Sequence, residues 1–188
     1  MSSCFDERKT TQLAARFLSK ADNRMEYIRL IKLLYIADRE ALKNWGYPLT
    51  GDEYYSLRHG PIVSNVYDLI TADPNYVKRS YWGTYIRTEG VHVILETEPP
   101  LEDVSKAELK LVESIHDRYR SVTTWDLIAQ MHEEFKEWQD PGNGRVPITY
   151  EQILLAVGKS KDVADELSDI AQQRNYIDKV IQGIKQVS

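Results

Sequence analysis

This chain of 188 residues contains only one cysteine, and it has no long apolar run. Cys4 has no second cysteine with which to form an internal disulfide, which fits a reducing compartment. The longest apolar runs, Leu33–Ala37 and Ile153–Val157, fall far short of the roughly 18 residues that a membrane span needs. The start, MSSCFDERKT, becomes charged without an apolar stretch and does not resemble a secretory signal. We therefore expect a soluble, cytoplasmic protein.

An excess of positive charge is also missing, because the net charge is −5 and the isoelectric point about 5.4. Proteins that bind duplex nucleic acid draw on clustered Lys and Arg, so nucleic acid is a disfavoured partner. A hydrophobic content of 42% in a chain of this length suits one well-buried core. We expect one domain over residues 1–188.

Apolar residues recur at helical spacing through most of the chain. Gly46 is expected to cap the C-terminus of the second helix. The Gly60-Pro61 step is expected to begin the third helix. Ser105 and Glu108 are expected to form a capping box at the start of a later helix. The predicted helices cover residues 6–19, 25–45, 61–70, a segment after 105, a segment from 124, 150–158 and a long C-terminal helix over 161–188.

Three short segments have the residue pattern of strands. Strands are predicted over 81–88 and over 91–96, where apolar residues alternate strictly, with a hairpin turn at Glu89-Gly90. The segment DEYYSL, residues 52–57, is predicted to be extended. The expected fold class is mainly α (α+β), a single compact helical domain with a small antiparallel β-hairpin or sheet and a long C-terminal helix.

The usual signatures of catalytic and cofactor sites are absent. HEEFK, from His132 to Lys136, has the first His and the Glu of a zinc-protease helix but Lys136 in place of the second His. The chain has no G-x-G-x-x-G, no phosphate-binding G-x-x-x-x-G-K-[ST] and no G-x-S-x-G. We therefore expect neither a cofactor nor a metal, and no enzyme.

Asp38 is the most informative single residue. It falls in the middle of the apolar stripe of the second predicted helix, where a carboxylate needs hydrogen-bond or charge partners. We expect those partners to come from Arg58, His59 and the backbone N–H groups at the helix start predicted at Pro61. On this hypothesis His59 has a structural role and is not catalytic.

The block KLLYIADREALKNWGYPLTGDEYYSLRHGPIVSNVYDLI, residues 32–70, resembles the signature of the Panacea domain, the SocA-like antitoxin family. The signature spans residues 25–70, and a weaker second block over 124–157 is similar to the family's later region, with a helical His, a Trp and an ITYEQIL helix. Residues 161–188 depart from the pattern. The motif residues within the signature are Asp38, Gly51, Asp52, Arg58, His59, Gly60 and Pro61.

This resemblance implies an antitoxin that neutralises a cognate toxin, encoded by a neighbouring bacterial or phage gene, through direct contact. The toxins paired with the family are of several kinds, including alarmone-synthetase-like enzymes that modify tRNA, and one member delivers its toxin to a protease. No catalytic residue is implied, and homo-oligomer formation stays open. The candidate partner-binding residues are Arg29, Lys32, Arg39, Tyr85, Arg87, Arg174 and Tyr176.

Two other functions stay open from the residues alone. One is a small hydrolase that uses Asp38, Asp52 and His59. The other is a nucleic-acid-binding regulator that uses a basic stripe on the second helix, formed by Arg29, Lys32, Arg39 and Lys43. The same stripe could instead meet an acidic toxin surface.

Overall fold

The computed structural model describes residues 5–187, and Cys4 lies outside this range. Helices α1 to α9 cover Glu7–Ser19, Tyr27–Trp45, Ser64–Thr71, Pro74–Val77, Tyr81–Tyr85, Lys106–Tyr119, Thr124–Glu134, Tyr150–Ala156 and Lys161–Val187. Strands β1 to β6 cover Arg24–Glu26, Tyr54–Leu57, Gly60–Val63, Ile86–Glu89, His92–Leu95 and Val146–Ile148. The fold is mainly α with two small antiparallel sheets, which confirms the predicted fold class.

Helix α2 forms the centre of the core. Its middle turns are buried, with Leu34 and Tyr35 fully enclosed, and α1, α6 and α8 pack around it. The helix ends as predicted at Gly46, which takes φ +77 and donates its N–H to the Leu42 carbonyl. It begins at Tyr27 and not at Met25, because residues 24–26 pair as strand β1 with β5.

The first sheet has the strand order β1-β5-β4. The hairpin of β4 and β5 was predicted, although Glu89 pairs with His92, so that the turn residues are Gly90 and Val91. The strand predicted from residue 81 is wrong over its first five residues, which form α5. Ser80 caps this short helix by accepting the Gly83 N–H at 3.0 Å.

The second sheet has the order β3-β2-β6, and it shows that the helix start predicted at Pro61 is wrong. Pro61 lies in β3, opposite Ser56 of β2, and the helix begins three residues later at Ser64. A proline fits in β3 because this strand lies at the edge of the sheet and pairs with a neighbour on one side only. On the open side there is no strand to which a backbone N–H would donate, so the N–H that proline lacks is not needed there. Strand β6 pairs with β2 and was missed in the segment rich in Pro and Gly before residue 149.

The second half of the chain follows the predicted helices closely. The capping box of Ser105 and Glu108 is present at α6, and Thr149 with Gln152 forms another at α8. Helix α9 begins at Lys161 and packs mainly against α8. Along the described range, no helix combines the length and apolar character that a membrane crossing requires.

Candidate functional site

Asp38 lies at the centre of a buried hydrogen-bond network, as the sequence predicts, but its partners differ from the predicted ones. Its side chain is fully buried, and its carboxylate accepts the backbone N–H groups of Leu49 at 2.7 Å and Thr50 at 2.9 Å. The hydroxyls of Thr50 and Tyr54 also donate to it. Burial raises the pKa of Asp38, and these hydrogen bonds oppose that rise.

The expected partners of Asp38, from Arg58 to Ile62, do not reach it. The chain leaves α2 at Gly46 and turns back at once, so that the next segment, residues 49–54, covers the carboxylate first. Arg58 and His59 form the exposed tip between β2 and β3. The prediction of burial is therefore confirmed, and the predicted donors are wrong.

Asp52 makes the contact that was predicted for Asp38, because its carboxylate accepts N–H groups at the start of the helix that follows the β2–β3 hairpin. The residue before α3, Val63, has no side chain that can accept a hydrogen bond. Asp52 takes that role from across the hairpin and accepts the N–H of Asn65 at 2.8 Å and of Val66 at 3.2 Å. Burial raises the pKa of Asp52 to about 6 against these bonds. Gly51, with φ +63, lies between the Asp38 network and this cap.

The three residues of the hydrolase hypothesis are engaged in separate contacts. The hydrogen bonds described for Asp38 and Asp52 come from neighbours other than His59. The rings of His59 and Trp125 lie nearly perpendicular to each other, with their centroids 5.5 Å apart. Among the described residues, no group of His, Cys, Asp and Glu is arranged to hold a metal ion.

The sequence predicted an exposed basic stripe on α2, and this exposure is wrong for three of its four residues. Arg29 is half-buried and donates to the carbonyls of Val122 at 2.8 Å and Tyr119 at 2.6 Å. Lys32 is 1% exposed. Of the four side chains, Lys43 alone is exposed. The stripe was misjudged because distant segments cover these side chains: the connection between α6 and α7 covers Arg29, strand β3 covers Lys32, and the segment after α7 covers Arg39.

Arg39 is the third member and joins α2 to the segment after α7. Its Nε donates to the buried Glu137 carboxylate at 2.7 Å, and its guanidinium lies 4.2 Å from the centroid of the Phe135 ring. The same Glu137 oxygen accepts the Tyr35 hydroxyl at 3.0 Å. Arg39 therefore stabilises the fold, and the stripe offers little charge to a nucleic-acid backbone.

A groove lies between α2, the β2–β3 tip and the loop before β6. It has a volume of about 340 Å³. Its lining consists of Tyr27, Ile28, Ile31, Lys32, Leu57, Arg58, His59, Ile62, Tyr67, Gly142, Asn143 and Gly144. Burial lowers the pKa of Lys32 to about 7, and Lys32 Nζ donates to the Pro61 carbonyl at 2.8 Å.

Three aromatic or imidazole side chains near the groove were missed as functional candidates. The rings of His132 and Trp138 stack with centroids 4.0 Å apart, and Trp138 Nε1 donates to the Leu57 carbonyl at 3.0 Å. Trp125 is 66% exposed beside His59. All three residues lie in the weaker second block, residues 124–157. The resemblance of this block to the family was therefore the sequence signal that could have identified them.

The other candidate partner-binding residues lie on two surfaces. Tyr85 is half-buried at the end of α5, and Arg87 of β4 pairs with Glu96 at 2.7 Å while remaining exposed. Arg174 and Tyr176 lie exposed on α9. These two surfaces are well separated in the chain, and nothing in the contacts described joins them.

Asp38 and Asp52 are thus the centres of two buried carboxylate networks in a mainly helical fold. The profile of the family described as "Antitoxin SocA-like, Panacea domain" matches residues 30–139. This is more than half of the 188 residues, and the chain belongs to that family. The resemblance seen in the sequence is thereby confirmed. No curated protein and no solved structure matches the chain.

Family membership supports a role in a toxin–antitoxin system in general, and it favours a partner protein over a substrate. The matched range contains the Asp38 and Asp52 networks, the β4–β5 hairpin and the start of the second block. Helices α8 and α9 lie outside it.

Proposed function

We propose that this protein is an antitoxin that neutralises a cognate toxin by binding it directly, without catalysis. The observation that carries the proposal is a row of exposed apolar side chains on α9. Val163, Ile170 and Ile177 follow one another at intervals of seven residues and are 40%, 40% and 54% exposed. Apolar side chains at that spacing lie along one side of a helix, and a helix with such a side can bind in an apolar groove of a partner protein.

Helix α9 is attached to the rest of the protein near its start, and several described side chains further along it are exposed. Ala164 is fully buried, and Leu167 packs against Gly46 at the end of α2. Further along, Tyr176 is 71% exposed and Val180 is 45% exposed. Exposed aromatic and apolar groups of this kind are typical of protein-binding surfaces.

The β4–β5 hairpin offers a second surface with a different character. Val91 at its turn is 60% exposed, and Arg87 lies exposed on β4. Helix α9 lies outside the family-matched range, whereas the hairpin lies inside it but outside the signature block of residues 32–70. We infer that partner choice is set mainly by α9, with the hairpin as a further contact.

The proposal is tested with the gene next to the one that encodes this protein. Expression of that gene alone should stop growth, and co-expression with this protein should restore growth through a complex that co-purifies. One kind of toxin that the family resemblance implies modifies tRNA, so protein synthesis in the arrested cells is the first activity to assay.

Matched variants of α9 locate the surface. Ile170→Glu with Ile177→Glu should abolish both rescue and co-purification. Gln172→Glu is the control, because Gln172 is exposed on the opposite side of the helix and should leave both unchanged. A harmless neighbouring gene contradicts the antitoxin proposal. Rescue without a complex, lost in His59→Ala, contradicts it as well and favours the hydrolase hypothesis.

A further inference from the structure

The groove beside α2 combines apolar walls with positive charge. Ile28, Ile31, Leu57 and Ile62 line it, and Arg58 and the protonated form of Lys32 supply its cations. None of the lining residues is acidic. Its volume of about 340 Å³ lies at the small end of the range for ligand-binding sites, so it suits a short segment and not a whole element.

Lys32 is an unusual residue to find in such a wall. It is 1% exposed, and its ammonium group has three protons to donate, of which the described contacts use one, toward the Pro61 carbonyl. A buried ammonium without a counter-charge is costly, because it loses water and gains little in return. A carboxylate that enters the groove would supply the missing charge.

His132 adds a second nitrogen near the same point. Its Nε2 is buried and has no hydrogen-bond partner among the described residues. The position that a Cβ would occupy at Gly60 lies 3.4 Å from Lys32 Nζ and 3.6 Å from His132 Nε2. The absence of a side chain at Gly60 therefore leaves room for one atom that both nitrogens can approach.

We propose that this groove binds a short extended segment of a protein partner that carries a carboxylate next to an apolar side chain. The carboxylate lies against Lys32 and Arg58, and the apolar side chain lies against Ile28, Ile31 and Ile62. The apolar walls favour a peptide over a free inorganic anion, because an inorganic anion gains nothing from them. This inference does not depend on the antitoxin proposal, since the groove and α9 are different surfaces.

Three synthetic peptides test the proposal: acetyl-Ala-Leu-Leu with a free C-terminus, acetyl-Ala-Leu-Glu-amide, and acetyl-Ala-Leu-Leu-amide, which has no carboxylate. Binding is followed by NMR of the protein labelled at its isoleucine methyl groups. One or both carboxylate peptides should shift the signals of Ile28, Ile31 and Ile62. The peptide without a carboxylate should bind at least about tenfold more weakly. Whichever of the first two binds more tightly shows whether the groove takes a terminal or a side-chain carboxylate.

Variants assign the binding to the two cations. Arg58→Gln changes an exposed side chain at the hairpin tip and should weaken the carboxylate peptides severalfold without affecting the fold. Lys32→Met should remove most of the binding. Lys43→Gln removes an exposed lysine of the same helix and should change nothing. The proposal is wrong if no peptide shifts these methyl signals, if the uncharged peptide binds equally well, or if acetate or phosphate binds as tightly as the peptides.

Discussion

The hydroxyl of Tyr54 in β2 donates to the carboxylate of Asp38 in α2, with the two oxygens 2.9 Å apart. Both side chains are buried, so this bond joins the central helix to the second sheet in the protein interior. The ring of Tyr54 also packs edge-on against Tyr35, one helical turn before Asp38, at a centroid distance of 5.5 Å. The position of the β2–β3 hairpin, and hence of the groove, depends on this contact.

Replacing Asp38 should therefore destabilise the fold. In Asp38→Ala, the N–H groups of Leu49 and Thr50 and the hydroxyls of Thr50 and Tyr54 all lose their acceptor inside the protein. Each unsatisfied buried donor costs about 1–3 kcal/mol, so we expect a loss of at least about 3 kcal/mol in the free energy of unfolding. Urea denaturation followed by circular dichroism measures it.

Two further variants calibrate that result. Tyr54→Phe removes one donor and leaves the carboxylate with its other partners, so we expect a smaller loss of about 1 kcal/mol. Asp68→Ala removes an exposed carboxylate from α3 and should be nearly neutral. An Asp38→Ala protein as stable as Asp68→Ala would show that the network contributes nothing.

The sequence was sufficient to predict that Asp38 is buried but not which groups surround it. Burial followed from one helix, because a single polar residue interrupted an apolar stripe with a regular period. The partners depended on how the chain turns after Gly46, which local patterns do not determine. The same limit explains why the capping role of Asp52 was not predicted. Asp52 and Asn65, whose N–H it accepts at the start of α3, are 13 residues apart in the sequence.

Pairing between distant segments caused the other errors. Pro61 favours a helix start by its local chemistry, yet pairing with β2 made it part of a strand. Lys32 was assigned to solvent by its position on a helical wheel, yet the Pro61 carbonyl of that strand holds its ammonium group in the interior. Long helices with clear caps, such as α6, were predicted well because their signals are local.

The buried position of Lys32 predicts a distinctive dependence of stability on pH. Burial lowers the pKa of Lys32 to about 7 in the folded protein, whereas the pKa of a lysine in the unfolded chain is about 10.4. Between these values the unfolded chain binds a proton that the folded protein lacks, so stability rises with pH. The contribution of Lys32 to this slope is at most about 1.4 kcal/mol per pH unit.

The comparison with Lys32→Met isolates this effect, since the other titrating groups are common to both proteins. We expect the free energy of unfolding of the wild type, minus that of the variant, to increase between about pH 7 and about pH 9. Urea denaturation at several pH values provides the difference. A constant difference over this window would mean that Lys32 keeps its ordinary pKa in the folded state. Lys43→Gln is the control for the loss of one positive charge at an exposed position of the same helix.

Gly46 and Gly90 offer a matched pair for testing how α9 is attached. Both take a positive φ, +77 and +59, which an alanine adopts only with strain. Their surroundings differ. A Cβ at Gly46 would lie 2.9 Å from Cδ2 of Leu167 in α9, whereas a Cβ at Gly90 would have nothing within 4 Å.

Gly90→Ala should therefore cost about 1–2 kcal/mol of stability through backbone strain alone. Gly46→Ala should cost about 1 kcal/mol more, because Leu167 must move away from the end of α2. In a Leu167→Ala background this extra cost should disappear, so a double-mutant cycle between Gly46 and Leu167 should show coupling. Equal losses for the two glycine variants, or a cycle without coupling, would mean that Leu167 does not hold α9 against α2. Since α9 carries the proposed toxin-binding row, Gly46→Ala should also weaken co-purification with the toxin, and Gly90→Ala should do so less.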